Sequence, residues 1–218
     1  MSGRSAAFAV CAWLVFAGRA AAAPEMALPI QVTDAKGAPV PDAVVFLVPK
    51  SLEAPTAQNS YVMDQINKAL IPHLLVVPVG SRVRFPNRDN IYHQLYSLSS
   101  AKTFEIPLYK GEPTSSILFD KVGVVKLGCN IHDWMDGIIL VLPTAVFART
   151  DAKGQALLTG FPAEGESVVA VFQERLKGSV DDTVRKISLK AGMNPTAQWT
   201  LDLRPERKSS LAADYQYQ

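Results

Sequence analysis

Residues 128–137 read Gly-Cys-Asn-Ile-His-Asp-Trp-Met-Asp-Gly. Apolar runs rich in valine and isoleucine precede and follow this stretch. Such runs favour β-strands, so residues 128–137, here named the ligand loop, are predicted to connect two strands. The loop carries a thiol at Cys129, an imidazole at His132 and a thioether at Met135. These soft to borderline ligands together select copper over calcium or magnesium.

A second histidine is needed before these groups match a known kind of site. Blue-copper sites combine two histidines and one cysteine in a plane with a weak axial methionine. The chain has three histidines, so the candidates outside the loop are His73 and His93. His93 follows residues 84–92, which are predicted to form a strand that runs into a turn. His73 has no such context and is expected to be structural.

The spacing of these residues resembles a known family. Cys-x-x-His-x-x-Met, followed by a glycine and a β-run, resembles the copper loop of amicyanins, and Asn87, six residues before His93, resembles their first-ligand loop. The wider pattern is similar to exported plastocyanin-like proteins often labelled methylamine-utilisation proteins. The resemblance covers residues 61–143 well and the flanks only loosely. It implies a cupredoxin with one type 1 copper, whose ligands are His93, Cys129, His132 and Met135.

One departure from the family concerns the link between the two ligand loops. Amicyanins and plastocyanins usually place an asparagine directly after the first histidine, where this chain has Gln94. The link then runs either from Gln94 to Asn130 or through Asn87, and the sequence leaves both open.

Most of the remaining chain consists of short apolar or alternating runs separated by turn signals, which predicts an all-β sandwich or barrel. Only residues 64–70 could form a short helical turn. The string Thr-Asp-Ala-Lys-Gly occurs twice, at 33–37 and 150–154, and predicts two similar hairpins. The segments around them resemble the two parts of a carboxypeptidase-regulatory-like sandwich. Alternatively, residues 28–50 are the first strands of the copper barrel.

The expected fold is a cupredoxin Greek-key β-barrel or sandwich with a second small β-sandwich formed by the flanking segments. The expected divisions are a signal peptide (1–22), the first part of the flanking sandwich or the first barrel strands (23–54), the copper domain (55–143), the C-terminal part of the flanking sandwich (144–203) and a polar tail (204–218).

The N-terminus has the pattern of a secretory signal peptide. Arg4 precedes a short apolar run and a string of alanines, and cleavage after Ala22 would release the chain into the periplasm. Losing Arg4 and Arg19 lowers Lys+Arg from 22 to 20, which equals the 20 acidic residues. A near-neutral chain suggests neither a nucleic-acid partner nor, after cleavage, a membrane partner. Cys11 also leaves, so Cys129 has no disulfide partner within the mature chain.

Four protein ligands leave no open position for a substrate, which suits electron transfer better than catalysis. The sequence therefore predicts a monomeric electron carrier that exchanges electrons with redox partner proteins, and no enzyme. Two alternatives stay open: an exported copper-binding or copper-delivery protein, and a structural or carbohydrate-binding-like β-sandwich with a vestigial copper loop. Trp134, beside His132 in the loop, is either part of a docking face or a packing aromatic.

Overall fold

The protein is almost entirely β-structure. The computed structural model describes residues 25–51, 59–113, 115–162, 164–190 and 195–206. Within these ranges the one helical element is a 3-10 helix, Val180–Thr183, so the predicted all-β class is confirmed. No helix in the described part of the chain has the length and apolar content to cross a membrane. The expected signal peptide (1–22) and most of the expected tail (204–218) lie outside the described residues.

The described residues form seventeen strands. In chain order they are β1 (Glu25–Asp34), β2 (Val44–Val48), β3 (Ser60–Val62), β4 (Asp64–Ile66), β5 (Ala69–Ile71), β6 (Leu74–Pro78), β7 (Ser81–Arg84), β8 (His93–Ser99), β9 (Lys102–Tyr109), β10 (Ile117–Phe119), β11 (Gly123–Cys129), β12 (His132–Leu142), β13 (Phe147–Arg149), β14 (Gln155–Pro162), β15 (Gly165–Phe172), β16 (Arg185–Leu189) and β17 (Ala197–Leu201).

The strands pair into four sheets and one separate hairpin. Sheet 1 has the order β14-β1-β17, and sheet 2 has the order β13-β2-β15-β16. Sheet 3 has the order β6-β12-β11-β8-β9, sheet 4 has the order β10-β7-β3, and β4 pairs with β5. The first two strands of the chain therefore pair with strands that follow β12. Sheets 1 and 2 form a flanking sandwich from both ends of the chain, and sheets 3 and 4 form a central sandwich.

Three apolar clusters lie between successive sheets, in the layer order 1-2-3-4. One fills the flanking sandwich and one the central sandwich. The third, here named the seam, joins sheet 2 to sheet 3 and contains Val44, Phe46, Leu74, Val76, Ile138, Leu140, Leu142, Ala170 and Phe172. The C-terminal part of β12 is apolar without alternation because both of its faces are buried. Ile139 and Val141 face the core of the central sandwich, while Leu140 faces the seam. A strand buried on both faces reads as a continuous apolar run.

The short helical turn considered for residues 64–70 is wrong. The segment is the β4–β5 hairpin, with Asn67 at φ 54° and Lys68 at φ 57° in its turn. Two successive residues with positive φ define the turn that best matches the twist of a two-residue hairpin. Both turn amides donate hydrogen bonds to the carboxylate of Asp89, which stabilises this conformation from outside the segment.

The repeated Thr-Asp-Ala-Lys-Gly string forms two turns of the same structure. Asp34 and Asp151 each accept hydrogen bonds from the amides two and four residues later, at 2.8 and 2.9 Å. Gly37 and Gly154 occupy the same position in the two turns, with φ of 83° and 71°. Aspartate and glycine therefore serve the same purposes at both places: one caps the turn and the other adopts its left-handed backbone.

Candidate metal site

The ligand loop is built around a break in the pairing of β11 with β12. Gly128 lies opposite Asp136, but the next residue, Cys129, lies opposite His132 rather than Met135. Residues 133–135 therefore have no partner on β11 and form a three-residue bulge in β12. Bulges change the direction of side chains at the ends of sheets. The bulge returns the chain so that Nδ1 of His132 lies 3.8 Å from Sγ of Cys129.

His93 comes to the same place from the other side of β11. It is the first residue of β8, it is fully buried, and its Nδ1 lies 4.0 Å from Sγ of Cys129. The rings of His93 and His132 are 4.9 Å apart between centroids. One potential ligand atom from each of His93, Cys129 and His132 lies within 4.8 Å of the other two, and within the described ranges no other such cluster occurs. These three residues could therefore form a metal site.

Asp89 orients the buried histidine, and it was missed in the sequence analysis. Nε2 of His93 donates a hydrogen bond to Oδ2 of Asp89 at 2.8 Å, so the proton is held on Nε2 and Nδ1 faces Cys129. Burial by itself raises the pKa of Asp89, but hydrogen bonds from Lys68, His93 and Asn67 outweigh it and hold the pKa below its usual value. The carboxylate is therefore ionised at neutral pH. An acidic residue four positions before a candidate histidine ligand was the available sequence signal.

Asn87 shapes the segment that leads to His93. Its side chain is buried, and its Nδ2 donates hydrogen bonds to the carbonyl oxygens of Ile91 and Tyr109, both at 2.9 Å. Its Oδ1 accepts a hydrogen bond from the amide of Asp89 at 3.0 Å. Asn87, six residues before His93, thus stabilises the turn and places Asp89 within hydrogen-bond distance of Nε2 of His93.

The two ligand loops are linked directly. Nδ2 of Asn130 donates a hydrogen bond to Oε1 of Gln94 at 2.8 Å. Gln94 follows His93 and Asn130 follows Cys129, so this bond links the residues that come directly after two of the candidate ligands. Of the two links that the sequence left open, the structure shows the one from Gln94 to Asn130.

Met135 and His73 have different surroundings. Met135 lies in the bulge, is buried, and packs in the same apolar cluster as Cys129. His73 lies outside the cluster of ligand atoms, between β5 and β6, where its ring contacts Glu174.

His132 is the candidate ligand that reaches the surface. It is half-buried, and its ring lies 5.4 Å from the ring of Trp134, whose side chain is 44% exposed. Burial lowers the pKa of His132 below its usual value, and the nearby His93 and Lys68 lower it further. A neutral imidazole is the form that binds a metal ion.

Comparison with solved structures finds copper proteins that match part of this chain. A purple cupredoxin from Nitrosopumilus maritimus is 24% identical, with 38% of this chain and 100% of that chain covered and a TM-score of 0.34. A reduced amicyanin variant is 23% identical, with 45% and 98% covered and a TM-score of 0.35. A copper-containing nitrite reductase from Thermus scotoductus is 24% identical, with 42% and 25% covered and a TM-score of 0.36.

No protein-family model and no curated protein matches the chain. The chain spans about a quarter of the nitrite reductase, and less than half of this chain is covered in each of the three comparisons. Sheets 3 and 4 pack face to face as a β-sandwich. The assignment of the site rests on the chain's own geometry.

Proposed function

We propose that this chain is a periplasmic type 1 (blue) copper protein that carries single electrons between redox partner proteins. Its ligands are His93, Cys129, His132 and Met135, and it holds one copper. The observation that carries the proposal is the convergence of a thiol and two imidazole nitrogens within 4.8 Å at one end of sheet 3. Sulfur and nitrogen ligands in this combination are the set that blue-copper sites use.

The spacing of the three atoms fits a trigonal site. Imidazole nitrogen and thiolate sulfur bind a first-row metal at about 2.0 and 2.3 Å, so at ~120° to each other they would be ~3.7 Å apart. The nitrogens of His93 and His132 lie 4.0 and 3.8 Å from Sγ of Cys129. Both sulfur–nitrogen distances are therefore close to those that a bound metal ion would require.

Met135 is the fourth ligand of the proposed site. The bulge places it three residues after His132, and its buried side chain shares an apolar cluster with Cys129. A weakly held thioether in apolar surroundings is the axial ligand expected of a blue-copper site.

The residues around the site favour electron transfer. Copper bound there supplies a one-electron couple. Asp89 orients His93, and the Gln94–Asn130 bond holds the two ligand loops together, so the ligands need little rearrangement when charge changes. The side chain of His132 reaches the surface and gives a short path out, whereas Cys129 is buried. Four protein ligands leave no position for a substrate, which supports a carrier over an enzyme.

Trp134 is proposed to belong to the docking face for the redox partner. It is exposed beside His132, and Asp133 and Asp136 flank it in the sequence. Exposed aromatics are favoured at interfaces, and the two carboxylates favour a partner with basic charge. We expect Trp134→Ala to slow electron exchange with a basic haem protein, whereas Leu98→Ala, an exposed apolar residue five positions beyond His93, should not.

The periplasmic location rests on the sequence of the N-terminus. Mass spectrometry of the exported chain should show a protein that begins at Ala23. A chain that retains residues 1–22 in the periplasmic fraction, or that stays in the cytoplasm, would contradict this part of the proposal.

The copper site is tested by visible absorption and EPR spectra of the mature chain after addition of Cu(II), alongside Cys129→Ser. We expect an intense thiolate-to-copper band with narrow copper hyperfine splitting, and both should be lost in the variant. Weak copper affinity with rapid transfer of Cu(I), in place of reversible redox cycling, would favour copper delivery. A protein that binds no copper would favour the structural sandwich with a vestigial loop.

A further inference from the structure

The flanking sandwich packs against the strand that carries two of the proposed ligands. Strand β12 begins at His132, passes through Met135, and continues into the seam at Ile138 and Leu140. Sheet 2 covers this part of β12 through residues such as Phe46 of β2. The N-terminal part of β12 thus belongs to the ligand loop, and its C-terminal part contacts the flanking sandwich.

His73 lies where these two regions meet. Its Nε2 donates a hydrogen bond to Oε2 of Glu174, two residues past the end of β15, at 3.1 Å. On the other side of the ring, Nδ1 lies 3.9 Å from Oδ1 of Asp136, a contact that is an ion pair when the imidazole carries both protons. The carbonyl oxygen of His73 also accepts a hydrogen bond from the amide of Ile138 at 2.7 Å. One residue therefore contacts the flanking sandwich, the ligand loop and the start of the seam.

A second bond from the flanking sandwich reaches the neighbouring residue. Arg149 of β13 donates a hydrogen bond to the carbonyl oxygen of Leu74 at 2.9 Å. The backbone on the other side is also closely packed, since a Cβ at Gly137 would lie 3.3 Å from the carbonyl oxygen of His73 and 2.8 Å from Cδ1 of Leu70. The segment around His73 is thus held from both sides.

The arrangement around His73 is a bridge rather than a second metal site. The two ring nitrogens point away from each other, so Glu174 and Asp136 contact opposite sides of the imidazole. A metal ion bound to one nitrogen could not use both carboxylates. The ring of His73 instead joins the ligand loop, which carries Asp136, to the segment after β15, which carries Glu174.

We propose that His73 is a positioning residue that couples the flanking sandwich to the ligand loop through Asp136. Asp136 directly follows Met135 and lies opposite Gly128 at the base of the bulge. Holding Asp136 therefore restrains the backbone that presents Met135. The consequence for copper rests on the proposed function, but the coupling itself is a property of the chain without metal.

The coupling is first tested on the full mature chain without metal, by hydrogen exchange of the Ile138 amide. His73→Phe removes both contacts of the ring, Glu174→Ala removes the contact to the flanking sandwich, and His73→Gln retains a donor near the Nε2 position. Asp202→Asn is the matched control, because it breaks the exposed Lys177–Asp202 ion pair elsewhere in the flanking segments. We expect exchange about two- to fivefold faster in His73→Phe and Glu174→Ala, the range that exposed ion pairs support, and unchanged in the control.

The second test measures the copper-loaded variants by the intensity ratio of their thiolate-to-copper bands and by reduction potential. Both should shift in His73→Phe and Glu174→Ala, with His73→Gln closer to the wild type and Asp202→Asn equal to it. Unchanged exchange in the variants would overturn the coupling. Faster exchange with an unaltered spectrum and potential would overturn the positioning role. If the wild type has no Cys129-dependent band, the proposed function fails, while the exchange measurement still decides whether the coupling exists.

Discussion

Met135 and Met63 are two buried methionines of the same apolar cluster, and only Met135 lies in the ligand loop. Met135→Leu keeps the volume of the side chain but removes the thioether, so the proposed copper site should lose one ligand while the fold is retained. We expect a higher reduction potential, because the loss of one donor and the more apolar surroundings disfavour the more highly charged Cu(II). Met63→Leu changes the core equally and should leave the potential unchanged. Equal potentials in the two variants, measured by voltammetry, would remove Met135 from the ligand set.

Asp89 is the residue on which the orientation of His93 depends. Asp89→Asn removes the negative charge that holds the Nε2 proton of His93 and stabilises the 67–68 turn. Changes to such partners of a ligand typically weaken metal affinity by about 10–100-fold, and we expect a loss in this range. Competition with a chelator measures it. Asp120→Asn, which breaks a surface ion pair with Lys102, is the control, and equal affinities in both variants would contradict the assigned role.

At the scale of the elements, the two equivalent turns allow a matched comparison. A Cβ at Gly37 would meet no atom within 4 Å, whereas a Cβ at Gly154 would lie 2.4 Å from the carbonyl oxygen of Val32. Gly37→Ala should cost about 1–2 kcal/mol, because only its left-handed backbone is strained. Gly154→Ala should cost a further ~1–3 kcal/mol, because the second turn must move away from β1. Urea unfolding gives both values, and a Gly37→Ala variant as unstable as Gly154→Ala would contradict the difference in packing.

The elements also show how far local patterns could predict the site. The loop between two strands was predictable from the apolar runs on either side of residues 128–137. The three-residue bulge was not, because nothing in the local sequence indicates that Cys129 lies opposite His132. The hairpin at 64–71 was missed for a related reason: its turn is stabilised by Asp89, more than twenty residues away.

At the scale of the whole molecule, the seam covers one face of sheet 3 of the central sandwich with sheet 2 of the flanking one. A chain limited to residues 59–143 would expose the side chains of Leu74, Val76, Ile138, Leu140 and Leu142 on one face of sheet 3. Contiguous apolar patches of this kind favour self-association, so we expect this fragment to form oligomers or aggregates, as measured by size-exclusion chromatography with light scattering.

Two further chains complete that experiment. The full mature chain should be monomeric, and the fragment with Ile138→Thr and Leu140→Thr should associate less than the unaltered fragment. A monomeric, well-folded unaltered fragment would show that sheets 3 and 4 do not need the seam to be covered. The domain boundaries expected from the sequence stay a prediction, and this experiment also tests the one placed near residue 143.

The sequence by itself determined the all-β class and singled out His93, Cys129 and His132, which the fold brings together. It could do so because strand propensity is local and because ligand chemistry depends on residue types at short spacings. Only the tertiary structure decided that Asp89 orients His93, that Gln94 bonds Asn130, and that the flanking sheets cover β12. These are contacts between side chains brought together by folding, and local patterns in the chain do not specify which of them will meet.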